Sequence, residues 1–251
     1  MADIDEGADI TEKTPLRERL KKLKVPVSEI NKFMAYIQGE QTKERAAKAK
    51  KSDAYTPVLN NTDIQLYTMF FKFWGLGLTI DSINVVITGR GMALPTFHGY
   101  KNKVKQIYPD ATFDVQLVRE GDKFSVAKES GSVVYSHDIS DPFADETPKI
   151  KGAYCVIKFG GNEYLETLNK RDYTEMRGAS KNQSTWDKWE SEFWLKSVIK
   201  RACKRHFNDI TVELDKVDNE MFGLADRVKA SDNKRADIIA KAQTNGDNPH
   251  S

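Results

Sequence analysis

Apolar residues Leu16, Leu20, Leu23, Ile30, Phe33, Met34 and Ile37 recur at helical spacing, interrupted at Pro26, with Ser28 placed to cap a second helix. The stretch from Gly39 to Ser52, GEQTKERAAKAKKS, is rich in Lys and Ala and lacks large apolar residues, so it reads as a helical or flexible basic connector. A helical pattern with an N-cap signal returns from Thr62 to Phe73 and stops at the GLGL of 75–78. The period then shortens. INVVIT at 83–88, a Gly-Arg-Gly turn at 89–91 and Met92–Phe97 predict a hairpin. GYKNKVKQI at 99–107 restarts a helix. Strands are predicted at Thr112–Val118, Lys123–Val126 and Ser132–Ser136, followed by an acidic loop at 137–147. KGAYCVIKF at 151–159 and Tyr164–Leu168 form a second hairpin across Gly160-Gly161-Asn162. Asn169, three residues before Asp172, caps a short helix. A loop at 178–183 leads into a closing helix.

No internal repeat is present. The pattern predicts an α+β fold in which β-hairpins and an antiparallel sheet pack with helices. Residues 1–60 form an N-terminal helical segment suited to oligomerisation, with a disordered acidic start. Residues 61–218 are the core, and 219–251 a flexible polar tail ending in TNGDNPHS.

Composition narrows the class. With 251 residues, 39% of them hydrophobic, the chain can bury a real core, and a net charge of +2 spread over 30% charged residues suits a soluble protein. No run approaches the ~18 apolar residues of a membrane span. The N-terminus (Asp3, Asp5, Glu6, Asp9) lacks the form of a secretory signal. Cys155 and Cys203 stand isolated in apolar surroundings, as buried small hydrophobes of a reducing compartment, so the cytoplasm is expected.

Against that near-neutral background, Lys196, Lys200, Arg201, Lys204 and Arg205 place five basic residues in ten with no acid among them. At roughly 100° per residue they fan across about half of a helix, while Leu195, Val198, Ile199, Ala202 and Cys203 fill most of the other half. Trp186, Trp189, Phe193 and Phe207 fall on the basic side, and Trp194 completes an aromatic cluster upstream. Cations beside flat rings suit a polyanion carrying bases, and single-stranded nucleic acid is such a polymer. The competing reading is an amphipathic helix with a solvated charged face and Trp in the core. Trp186 and Trp189 read equally as anchors between protomers.

Further candidates are Tyr100, Lys101, Lys103 and Lys105 on the 99–107 helix, where Lys101 and Lys105 share a face, Gly99 would admit a ligand and Tyr100 could stack on a base. Arg177, Lys181 and Lys188 flank the closing helix, and Arg90 tips the first hairpin. For the helix lysines, Arg177 and Lys181 the simpler reading is surface cations, and Arg90 reads equally as a solvent-exposed hairpin tip. No phosphate-binding glycine motif is present, so work on nucleic acid must be driven by binding energy. His137, Asp138, Asp141, Asp145 and Glu146 could be imagined as a Mg²⁺ site for phosphodiester cleavage, and more simply as a solvated loop. No cofactor or metal site is expected, and any effect of Mg²⁺ on DNA binding is expected without a dedicated site.

Several segments together resemble the RecT family of phage single-strand annealing proteins, to which phage lambda Beta is distantly similar. They are FFKFWGLGLTID, GYKNKVKQI, KGAYCVIKF, TLNKRDYTEMR and TWDKWESEFWLKSVIKRACKR, in that order between Asn61 and Phe207. Ser197 replaces a usual Thr, Lys103 stands near a usual Gly, and acids precede Phe193-Trp194 where the family has Met. The resemblance implies an ATP-independent, non-enzymatic protein that coats single-stranded DNA, anneals it to its complement in recombination and assembles into rings or helical filaments. It also implies a phage exonuclease as partner, and a host single-strand-binding protein is a further expected one. By position it carries over Lys196, Lys200, Arg201, Lys204 and Arg205, with Tyr100 and Lys101, as DNA contacts. Lys103, Lys105, Arg177, Lys188 and Arg90 extend that set from charge and placement. Rival readings are a passive single-strand-binding protein, a metal-dependent nuclease and an RNA-binding module.

Overall fold

The computed structural model describes residues 14–49, 61–87, 93–129, 132–142, 147–180 and 183–217. Helices α1 (Leu16–Lys22) and α2 (Val27–Ala49) open the chain. The first turn of α2 is organised by Pro26, whose carbonyl accepts from the amides of Glu29 and Ile30 at 3.0 and 3.2 Å. Ser28 therefore lies inside the helix and does not cap it. Proline's fixed φ suits the start of a helix, and its missing N–H costs nothing there. The Lys- and Ala-rich stretch continues α2 as helix as far as Ala49.

Helix α3 (Asp63–Gly75) begins with a reciprocal capping box. The Gln65 amide donates to Thr62 Oγ1 at 3.3 Å, and the Thr62 amide donates to Gln65 Oε1 at 2.9 Å. Phe33 of α2 meets Phe70 of α3 at 5.0 Å between ring centroids, and Tyr36 donates to the Val85 carbonyl at 3.1 Å. Helix α1 and the first half of α2 thus share one hydrophobic core with the central strands and the closing helix.

Strands β1 (Val85–Ile87) and β2 (Ala93–Pro95) pair antiparallel as predicted; Arg90, at the turn between them, lies outside the described residues. Phe97 belongs to α4 (Phe97–Ile107) and not to the strand, because Thr96 accepts from the Gly99 amide at 3.1 Å and starts the helix. Gly99 is placed there by a close approach inside the fold. A Cβ at this position would stand 2.5 Å from the Asn84 carbonyl oxygen, an atom already accepting from the Thr96 amide at 2.9 Å. The space that the sequence offered to a ligand is filled by the chain's own backbone.

The main sheet has the order β3-β6-β7, all antiparallel, from β3 (Thr112–Arg119), β6 (Ile150–Phe159) and β7 (Asn162–Asn169). Gly160 and Gly161, both at positive φ, form the two-residue turn joining β6 to β7. Central strand β6 is buried from Ala153 through Ile157, so both of its faces are covered. Ala153, Cys155 and Ile157 point into the main core. On the other face Tyr154 is covered by the separate hairpin β4 (Lys123–Glu129) and β5 (Ser132–Asp138), its ring stacked on Phe124 at 5.0 Å and beside Tyr135 at 5.6 Å. His137 and Asp138 belong to β5, so the acidic loop starts later than the pattern suggested.

Asn169 caps α5 (Lys170–Ala179) by accepting from the Asp172 amide at 2.9 Å. Helices α6 (Gln183–Lys188) and α7 (Glu190–His206) follow, and 208–217 is again helical. Helix α7 packs on β6, β7, β3 and α4. The fold is α+β, and among the described residues no helix is long and apolar enough to cross a membrane.

Gly99→Ala is expected to lower stability by about 2 kcal/mol or more in urea unfolding, since backbone must move to admit the methyl group. Gly178→Ala in α5 serves as the control. A Cβ there meets nothing within 4 Å, and the change is expected to be neutral or slightly stabilising.

Candidate nucleic-acid interface

Helix α7 is held by its apolar side. Val198, Ile199, Ala202 and Cys203 are buried, and Trp194 lies flat on Tyr173 at 4.1 Å. Phe207, placed by the helical wheel on the basic side, is instead buried among Tyr108, Phe159 and Tyr164, with centroids 5.2–5.8 Å away. The α7 helix ends at His206, so the wheel no longer applies to Phe207. Cys155 and Cys203 are free and buried. Burial pushes the Cys155 thiol up to about 12 and raises that of Cys203 as well, so neither is a reactive thiolate.

The five basic residues of α7 divide between two environments. Lys200 and Lys204 reach toward α4, where their Nζ atoms lie 5.2 and 5.4 Å from the centre of the Tyr100 ring. Tyr100 is fully buried and donates its hydroxyl to Asp215 at 2.7 Å, and Lys204 pairs with the same carboxylate at 3.2 Å. The ring cannot stack on a base from that position. It is the floor on which two lysines stand. Lys101 lies over Phe113 at 5.0 Å, and Lys196 over Phe193 at 5.5 Å, 3.9 Å from Glu192. Exposed His98 stands near Lys101 and Lys196. Partial burial lowers its pKa first, and the charges of Lys101 and Lys196 lower it further. Lys101, Lys196, Lys200 and Lys204 thus line a crest where α4 meets α7.

Arg201 and Arg205 belong to a different assembly, around the buried carboxylate of Glu166 on β7. Arg201 Nε donates to Glu166 at 2.8 Å and its Nη1 to Asp172; Arg205 Nη1 reaches Glu166 at 3.2 Å and His206 Nε2 lies 3.4 Å away. Burial alone would raise the Glu166 pKa. The His206 hydrogen bond and the charges of Arg205 and Arg201 outweigh it and hold the carboxyl below its ordinary range.

The remaining candidates scatter. Lys103 donates to the Leu76 carbonyl at 2.6 Å, closing the C-terminal end of α3. Lys105 lines a shallow cleft of ≈ 340 Å³ with Leu78, Thr79 and Asn102, apart from Lys101. Arg177 grips Asp187 with two bonds of 2.7 and 2.8 Å, and Lys188 lies 5.6 Å from the Trp189 ring centre. Lys181 lies outside the described residues, as do Asp145 and Glu146. Of the imagined Mg²⁺ ligands, His137 stands 3.2 Å from Asp122 and 3.3 Å from the Tyr154 hydroxyl, as a joint between hairpin and sheet. Among the described residues no three His, Cys, Asp or Glu side chains gather as a metal site would require.

His98 and Glu166 were missed in the sequence. Glu166 left a signal, since on the alternating strand it shares its face with buried Leu168, and an acid at a core position calls for a cation.

The model of the RecT family matches residues 59–236. The chain belongs to the RecT family, and with that membership come single-stranded DNA binding and single-strand annealing in phage recombination. The match runs past residue 218, where the pattern of the sequence closed the core. No curated protein and no solved structure matches the chain.

Glu166→Gln is expected to cost about 2 kcal/mol, because Arg201 and His206 lose a buried partner while the more exposed Arg205 loses little. Thermal melts at neutral pH are expected to show it as a fall of about 4–8 °C. Since the folded pKa is depressed, this contribution is present above the unfolded value near 4.3 and fades as pH falls through the folded one. Wild type and variant are therefore expected to converge in stability at low pH.

Proposed function

We propose that the protein anneals complementary DNA strands without ATP, acting as an oligomer whose protomers hold the first strand along the crest of Lys101, Lys196, Lys200 and Lys204. The gathering of those four cations beside His98, from two elements nearly a hundred residues apart, is the observation that carries the reading. In this reading Arg201 and Arg205 support the helix from behind and are not primary DNA contacts. Lys196 and Lys200 lie one helical turn apart, about 6 Å along the axis.

The chemistry needs no fuel. Complementary strands repel through their phosphates and hide bases in their own folds. A lysine crest neutralises part of that charge and keeps the strand extended. Each protomer covers a few nucleotides, and a ring or filament of protomers sums weak contacts through effective concentration. Pairing then releases about 1.4 kcal/mol per stacked step. The setting is the bacterial cytoplasm, beside a phage exonuclease that exposes the strand and the host single-strand-binding protein that covers it. No catalytic group or cofactor takes part.

Two labelled complementary oligonucleotides mixed with the protein in the absence of ATP are expected to pair faster than alone, followed by energy transfer. Binding without faster pairing would reduce the protein to a passive strand coat, and shortened product would make it a nuclease. Lys196→Ala with Lys200→Ala is expected to lower affinity for single-stranded DNA and to flatten the log-salt slope by about 1.4, two contacts at ~0.7 each. Arg201→Ala is expected to lower stability more than it lowers the slope.

A further inference from the structure

We propose that Trp189 is a stacking platform for one unstacked nucleobase of the strand whose phosphates follow the lysine crest, an assignment that rests on the proposed function. The tryptophans of the closing segment differ in what they touch. Trp194 is buried against Tyr173, and Trp186 is stacked on Phe193 at 4.4 Å. Trp189 belongs to neither stack and is 53% exposed. It stands at the junction of α6 and α7 with φ −121° and ψ 39°, a break between the two helices.

A single exposed apolar side chain is ordinary and proves little. The surroundings set this one apart. Phe193 follows Trp189 by one turn, its amide donating to the Trp189 carbonyl at 3.0 Å, and Phe193, Lys196 and Lys200 fall within about 60° of one another on α7 at roughly 100° per residue. Lys188 Nζ lies 5.6 Å from its ring centre, and Lys196 Nζ 5.5 Å from that of Phe193, so cations sit beside both rings. The nearby acids are already engaged. Asp187 is held by Arg177, Glu190 accepts from Trp194 Nε1 at 3.4 Å, and Glu192 faces Lys196 at 3.9 Å.

The occupant follows from that charge pattern. An exposed flat ring with a cation beside it and further cations along the adjoining helix attracts a ligand that is aromatic and negatively charged at short repeat, which a nucleotide in a strand is. A base has a π-face whatever its identity, so stacking here adds affinity without reading sequence, as an annealing protein requires. At one end of the crest it would also hold the strand from sliding along its phosphates.

The test compares the full-length protein on two end-labelled oligonucleotides of equal length, oligothymidine and a fully abasic strand, at one salt concentration. Wild type is expected to bind the base-bearing strand about tenfold more tightly. Trp189→Ala should abolish that difference while leaving abasic affinity within about twofold, and Trp189→Phe should keep part of it. Lys196→Ala with Lys200→Ala should weaken both strands together. A folded Trp189→Ala variant that retains the full preference overturns the assignment. So does a change in the sedimentation of the DNA-free protein in that variant, which would make Trp189 an anchor between protomers. Equal wild-type affinity for both strands overturns the stacking site and leaves the proposed function standing. Failure of wild type to bind either strand removes both.

Discussion

The seating of α7 on the inner face of β6 is the contact on which the arrangement of the rest depends. Val198, Ala202 and Cys203 are fully buried there, with Ala153, Cys155 and Ile157 on the strand side. A buried side chain of Val size contributes about 1.5–3 kcal/mol, whereas an exposed ion pair contributes about 0–1. The apolar stripe therefore decides how α7 lies, and the charged positions go where that decision sends them. Once the stripe faces the sheet, one flank of α7 looks toward α4 and the other toward β7 and α5.

The two flanks hold their cations in different ways. On the β7 side Glu166 is buried at a core position, and a carboxylate there is tolerable because Arg201, Arg205 and His206 surround it. On the α4 side Lys200 and Lys204 lie over the ring of Tyr100, and Asp215 pairs with Lys204. A ring beneath an ammonium group stabilises it weakly. Guanidinium groups, with fixed planar forks, suit the internal network around Glu166.

The sheet makes a second division. Because β6 is covered on both faces, the hairpin β4–β5 can lie against Tyr154 without touching the face that carries α7. His137, which looked in the sequence like a member of an acidic cluster, is the polar joint of that contact with Asp122 and Tyr154. Burial of Tyr154 raises its hydroxyl pKa to about 12, so the joint stays neutral on the tyrosine side across the physiological range.

Periodicity alone determined most of the elements. The capping box of α3, the Asn169 cap of α5, both hairpins and the α+β class follow from local chemistry, which acts between residues a few positions apart. The apolar stripe of α7 and the burial of the two cysteines as free thiols were legible for the same reason, and the family motifs carried the function class. The division of the basic cluster was not legible. Arg201 is separated from Glu166 by 35 residues and Tyr100 from Asp215 by 115, so no local pattern couples them. Tyr100 and Gly99 looked like groups turned toward a ligand, and both are consumed by internal packing. Ser28 lost its cap to Pro26, a competition settled by backbone geometry over a single turn. Sequence determines which residues carry charge, rings and apolar surface, because those are properties of single side chains. Which cation meets an acid and which meets solvent is a property of pairs distant in the chain, and only the tertiary structure decides it.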